Sequence, residues 1–135
     1  MTCELVTNRG GLQTVDRMGK HIPLIGATNM NREPSAAQQA MGDLAPKFAE
    51  LTDNVLFGDI WERKELSKRD RSLITVAALV ALNRTDQLRF HLQRALENGV
   101  KKPELIEEIT HLAFYSGWPT AVNAVTVAKE VFSKL

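Results

Sequence analysis

Cysteine is nearly absent from this chain: its 135 residues include one, Cys3. A lone thiol makes no internal disulfide, so the fold stands without one and suits a reducing compartment. Also missing is an excess of charge, since 17 Lys and Arg face 16 Asp and Glu. Proteins that grip nucleic acid or anionic membranes concentrate positive charge, so neither is expected as a partner. The longest apolar run, residues 73–82, falls well short of the roughly 20 residues that cross a bilayer. The first residues lack the basic-then-apolar order of a secretory leader. No convincing alternation of apolar and polar residues marks a strand. These absences leave a cytoplasmic helical protein as the expectation. Its length fits one domain, which commonly takes about 100–200 residues, and such a domain buries roughly two-thirds of its unfolded surface.

Residues 1–34 read as a distinct extended arm. They hold Gly10, Gly11, Gly19, Gly26 and Pro23, and their apolar residues occur singly; at most a short helix forms around residues 12–18. The arm is either a loose tail or a strap on a neighbouring subunit. From Ser35 the sequence reads as helix, each boundary with a chemical cause. Ser35 caps a helix over 36–44, and Pro46 opens one towards Leu51. Thr52 or Asp53 caps a further helix through Val55, Leu56, Ile60 and Trp61. Ser67 caps a long helix over 68–82, which Asn83 stops in the left-handed conformation. Thr85 caps 86–98, ended by Gly99; Pro103 opens 104–116, closed by Gly117; Pro119 opens 120–134. Apolar residues recur every three or four positions, as at Leu88, Leu92, Ala95 and Leu96. The fold class is therefore all-α, a bundle of five to seven helices in 35–135. The helix over 73–82 is apolar on nearly every side and must be surrounded, so a homo-oligomer is expected to complete its enclosure.

Several blocks, in order and spacing, carry a family. Phe57-Gly58-Asp59-Ile60-Trp61, the Leu66–Ser72 block, His91-Leu92-Gln93-Arg94-Ala95-Leu96-Glu97-Asn98-Gly99-Val100 and His111-Leu112-Ala113-Phe114-Tyr115-Ser116-Gly117-Trp118-Pro119 resemble the carboxymuconolactone decarboxylase family over roughly residues 48–132. The resemblance implies a helical-hairpin fold of the alkylhydroperoxidase D type, completed by oligomerisation as trimers or hexamers. The redox branch of that wider group uses a Cys-x-x-Cys pair, a His four residues later and a Glu one helix earlier. Counted from His91, those positions fall on Arg84, Gln87 and Ser72. Thiol peroxidase chemistry needs a thiolate and a resolving thiol, so the resemblance extends to the fold and excludes that reaction here.

The decarboxylase reaction implied by the resemblance expels a carboxylate from an unsaturated lactone and pushes the electron pair into the lactone carbonyl. The ring is the electron sink, so no cofactor or metal is required. The protein must supply cationic anchors, a donor for the developing oxyanion and an acid to protonate carbon. His91 is the expected proton donor, since an imidazole gives or takes a proton near neutrality. Gln87, one turn earlier on the same face, can orient it or the substrate, although some relatives carry an acid there. Arg71, Arg69 and Arg84 are candidate carboxylate anchors, and Trp61, Tyr115 and Trp118 candidate pocket walls. The partner is thus a small carboxylate or lactone.

Blander readings attach to the same residues. A His on an apolar helix face is commonly a hydrogen-bonded core group, the arginines can serve subunit salt bridges, and the tryptophans can be packing. A non-catalytic oligomeric scaffold or small-ligand binder of the same fold is the rival function. Glu108-x-x-His111 imitates half of a di-iron motif, but the sequence holds one such motif where two are needed, so no metal site is expected. Nothing in the sequence gives His21 a role.

Overall fold

The computed structural model describes residues 33–135 in full and, before them, the backbone of 4–8, 11–15 and 21–22; Cys3 lies outside the described residues. The arm carries β-structure that the sequence reading did not anticipate. Strands β1 (Glu4–Asn8) and β2 (Gly11–Val15) pair antiparallel with Asn8 opposite Gly11, and β3 (His21–Ile22) pairs with β2, placing His21 opposite Val15. The helix expected around 12–18 is therefore replaced by strand over its first residues. A two-residue link containing Gly10 between runs with Leu5, Val6 and Leu12, Thr14, Val15 is a hairpin signal, masked by strands of only five residues.

The domain beyond is all-α, and its six α-helices are α1 (Ala36–Met41), α2 (Pro46–Leu51), α3 (Lys68–Ala81), α4 (Thr85–Glu97), α5 (Lys102–Ser116) and α6 (Trp118–Phe132). Two helical hairpins, α3–α4 and α5–α6, pack on each other. Ser67 caps α3 by accepting the Asp70 amide at 3.0 Å, and Ser35 caps α1 by accepting that of Gln38 at 3.0 Å. The α3–α4 turn closes on Asn83 at φ 53°, while Gly99 and Gly117 take φ 94° and 102°, values that favour glycine. Asn123 of α6 donates to Asn83 Oδ1 at 3.0 Å, locking that turn to the second hairpin.

Two caps differ from expectation. Thr85 is the first residue of α4, and Arg84 precedes it without a side-chain cap. Residues Thr52–Phe57 do not start a new helix; they continue α2 as a π-helical turn, followed by a 3-10 turn at Ile60–Glu62. The Thr52 hydroxyl turns back to donate to the Phe48 carbonyl at 2.9 Å, and Asp53 instead accepts the Ser35 hydroxyl at 2.6 Å. A π-helical turn gains one residue per turn over α-helical geometry and frequently marks functional positions.

The core lies between the hairpins. Val76 and Val80 of α3, Leu88 and Leu92 of α4, Leu105 and Ile109 of α5, and Ala124 of α6 are all at most 1 % exposed. Each large aliphatic side chain buried this way contributes about 1.5–3 kcal/mol. Enclosure of α3 is incomplete within one chain, because Ile74 and Leu82 remain 56 % and 64 % exposed. Among the described residues, no helix is long and apolar enough to cross a membrane.

Candidate active site

The stripe Leu88, Leu92, Ala95 faces the core from α4, and His91 stands at its edge, half-buried. Beside it lies the segment that left α-helical geometry. Trp61, 5 % exposed, stacks on the His91 ring with centroids 6.0 Å apart and planes at 26°. Phe90 meets the imidazole edge-on at 5.1 Å. Phe57, at the end of the π-helical turn, closes the box at 6.0 Å from Trp61 and 6.5 Å from Phe90. Arg94, one turn after His91, places its guanidinium carbon 4.5 Å from the Phe57 centroid, 5.1 Å from Trp61 and 5.8 Å from Phe90.

Burial, and then the positive charge of Arg94, holds the His91 pKa below its ordinary 6.5, because both penalise a second charge. The imidazole is therefore mostly neutral near pH 7. Its Nδ1 is buried without a hydrogen-bond partner among the described residues, as are Nε of Arg94 and Nε of Arg71. Arg71 donates from Nη2 to the carbonyl of Arg63, two residues after Trp61, at 3.1 Å. Buried polar atoms are normally satisfied, so the open Nδ1 of His91 and Nε of Arg94, both on residues packed against the aromatic box, leave hydrogen-bonding capacity there.

The structure thus brings His91 and Trp61 together, with Gln87 exposed one turn before His91. The other expected residues are exposed or hold other partners within one chain. Arg69 is committed to an ion pair with Glu104 of α5 and lies 3.7 Å from Asp70, so it ties α3 to α5. Arg84 is exposed at the start of α4. Tyr115 and Trp118 are 77 % and 63 % exposed; Tyr115 packs on His111 at 4.7 Å and Trp118 on Phe114 at 6.0 Å. Trp118 also lines an apolar cavity of about 270 Å³ with Ile109, Ala113, Ala121 and Val125. Within one chain, neither Tyr115 nor Trp118 stacks on the rings around His91. Conversely, sequence reasoning passed over Phe57, Phe90 and Arg94. For Arg94 a signal existed, since a residue three after His91 shares its helix face.

Ser72, where the redox relatives carry glutamate, is 1 % exposed and fully engaged. Its hydroxyl donates to the Lys68 carbonyl and accepts from Asn98 Nδ2, both at 2.9 Å, joining α3 to the end of α4. Glu108 and His111 share an open groove with Leu73, Glu104 and Glu107. Among the described residues, no cluster of three or more His, Cys, Asp or Glu side chains is placed to hold a metal ion.

A family model described as the carboxymuconolactone decarboxylase family matches residues 46–130, a span that contains the whole aromatic box. The chain belongs to this family. A carboxymuconolactone decarboxylase of Acinetobacter baylyi, named 4-carboxymuconolactone decarboxylase, is 37% identical over 112 residues, covering 83% of this chain and 81% of the relative. The nitrosuccinic acid decarboxylase of Metarhizium robertsii is 29% identical over 86 residues, 64% of this chain and 60% of its own. An uncharacterised 15.0 kDa protein of Paracoccus denitrificans is 28% identical over 98 residues, 71% and 73% of the two chains. Decarboxylation is thus an activity found in the carboxymuconolactone decarboxylase family, and two substrates of different chemistry occur in the names of these relatives.

Proposed function

We propose that this chain is a cofactor-independent decarboxylase of a small carboxylated lactone such as 4-carboxymuconolactone, with His91 as proton donor. The observation that carries the reading is the His91 imidazole, stacked on buried Trp61 with its Nδ1 unsatisfied and Arg94 one turn away. The substrates in the relatives' names support it. In each acid the departing carboxylate sits where a neighbouring group, a conjugated lactone carbonyl or a nitro group, can take the electron pair. Each also keeps a second carboxylate after CO2 leaves.

For the lactone, the bond from ring carbon to carboxylate breaks and CO2 departs. The electron pair moves through the ring double bond onto the carbonyl oxygen, giving a dienolate. As that oxyanion collapses, the carbon next to the carbonyl takes a proton from protonated His91, and solvent reprotonates the imidazole. The lowered His91 pKa fits this cycle, because a dianionic substrate offsets the field of Arg94 and draws a proton onto the ring as it binds. Aromatic walls exclude water, so the electrostatic terms act in a low dielectric. Gln87, with a side-chain amide one turn before His91, is the candidate donor to the lactone carbonyl, and Arg71 a candidate second cation.

A homo-oligomer, as a trimer or hexamer, belongs to the same reading. Ile74, Leu82, Phe114, Tyr115 and Trp118 are each more than half accessible, large apolar side chains that a second copy would cover. Tyr115 and Trp118 then have a route to the pocket of a neighbouring copy. The test is incubation of purified protein with 4-carboxymuconolactone in D2O. The expected result is CO2 release with one deuterium on the carbon next to the lactone carbonyl; absence of CO2 sinks the proposal.

A further inference from the structure

Arg94 is a half-buried cation with no carboxylate opposite it. Arg63, Arg69 and Arg89 pair with Glu65, Glu104 and Glu130, but among the described residues no ion pair forms at Arg94, and its buried Nε has no hydrogen-bond acceptor. Three aromatic rings surround the guanidinium. Ring faces stabilise a cation yet offer no strong acceptor, so the N–H donors stay available to an oxygen ligand. A cation held out of water without a counter-ion is unfavourable in isolation, and an anion arriving in the box removes that penalty.

We infer that Arg94 is the anchor of the carboxylate that the substrate retains, seated on the same helical face as His91 and boxed by Phe57, Trp61 and Phe90. The inference rests on the decarboxylase reading and adds to it a residue the sequence did not single out. Among the other arginines near α3, Arg69 is spent on Glu104, and Arg71 has one donor committed to the Arg63 carbonyl. The choice of the retained rather than the departing group follows from transition-state logic. An ion pair to the departing carboxylate is strongest in the ground state, where the charge is localised, and weakens as CO2 forms, which slows the reaction. An ion pair to the retained carboxylate is equally strong in both states, so it aids binding without opposing the chemistry. Its position one turn from His91 then fixes the reacting ring against the imidazole.

The test separates anchor from reaction by using a ligand that does not react. Succinate is titrated into wild-type protein, R94Q and R94K, following the His91 ring-proton resonances and Trp fluorescence, with circular dichroism confirming the fold. The expected result is saturable binding to wild type and affinity at least tenfold weaker in R94Q. R94K keeps a charge but loses the two-pronged donor geometry, and it is expected to bind severalfold more weakly than wild type. In turnover assays R94Q should raise KM at least tenfold with kcat within threefold, the pattern of an interaction equal in ground and transition states. Succinate affinity unchanged in R94Q and R94K, no succinate binding by wild type, or a fall in kcat at constant KM overturns the assignment. Succinate binding that depends on Arg94 without any lactone decarboxylation keeps the anchor and removes the reaction. Decarboxylation with KM unmoved in R94Q keeps the reaction and removes the anchor.

Discussion

Glu108→Gln should make the protein more stable at pH 8 and leave it nearly unchanged at pH 4. Glu108 lies on α5 with its Oε2 buried and without a partner among the described residues. Desolvation by burial is the main cause that raises its pKa from the ordinary 4.5 to about 7. The folded chain therefore keeps a proton that the unfolded chain has already lost in the window from 4.5 to about 7. Since the native state binds more protons there, stability falls as pH rises through the window and the loss is complete above it. The interval corresponds to about 3.5 kcal/mol at about 1.4 kcal/mol per pH unit. Water that still reaches this partly exposed carboxyl lowers the figure to about 2 kcal/mol. Glutamine is a neutral isostere of the protonated acid, so it escapes the cost at high pH. Urea denaturation of both proteins at pH 4 and 8, at one fixed protein concentration, measures the effect. Equal differences at the two pH values, or a glutamine variant less stable at pH 8, would mean that the carboxylate meets a favourable partner and bears no burial cost.

Ser72→Ala removes the acceptor of the Asn98 amide and should cost about 1–2 kcal/mol by the same denaturation assay; no loss would mean that α3 and α4 hold their register without it. The His91 pKa, read from its ring protons by NMR titration, should lie below 6.5 in the free protein. Because the unfolded imidazole takes up its proton first, His91 lowers stability as pH falls below 6.5, and replacing it with Gln should flatten that limb of the stability profile. Ile74→Glu places a charge on the uncovered face of α3 and should reduce the sedimentation mass of the assembly while the helical circular dichroism persists; an unchanged mass would mean this face is not an interface.

Boundaries of the hairpins were legible because single residues enforce them. Ser67 has a hydroxyl to offer free amides, Asn83 and Gly99 accept positive φ, and Gly117 with Pro119 stops one helix and starts the next. His91 and Trp61 were legible as an imidazole and a large ring placed on core-facing sides. The box itself was not, because it depends on α2 running on in π-helical geometry through Thr52–Phe57, where sequence suggested a capped break at Thr52 or Asp53. Phe57 ends that wider turn and Trp61 follows it, and both meet Arg94. Arg71 and Arg69 are two residues apart and equal in composition, yet one donates to the Arg63 carbonyl and the other pairs with Glu104. Spacing in sequence does not reveal which acid from a distant helix will claim a guanidinium. The β-ribbon was missed because short strands with few apolar residues carry little alternation to detect.

In the proposed reaction His91 delivers the proton that replaces the departing CO2. The direct measurement is the rate of CO2 release from 4-carboxymuconolactone by wild-type protein and by His91→Ala, with circular dichroism confirming that the variant is folded. General acid catalysis of this kind is worth about a hundredfold or more, so the variant should release CO2 at least that much more slowly. A folded His91→Ala protein working at the wild-type rate would contradict the account.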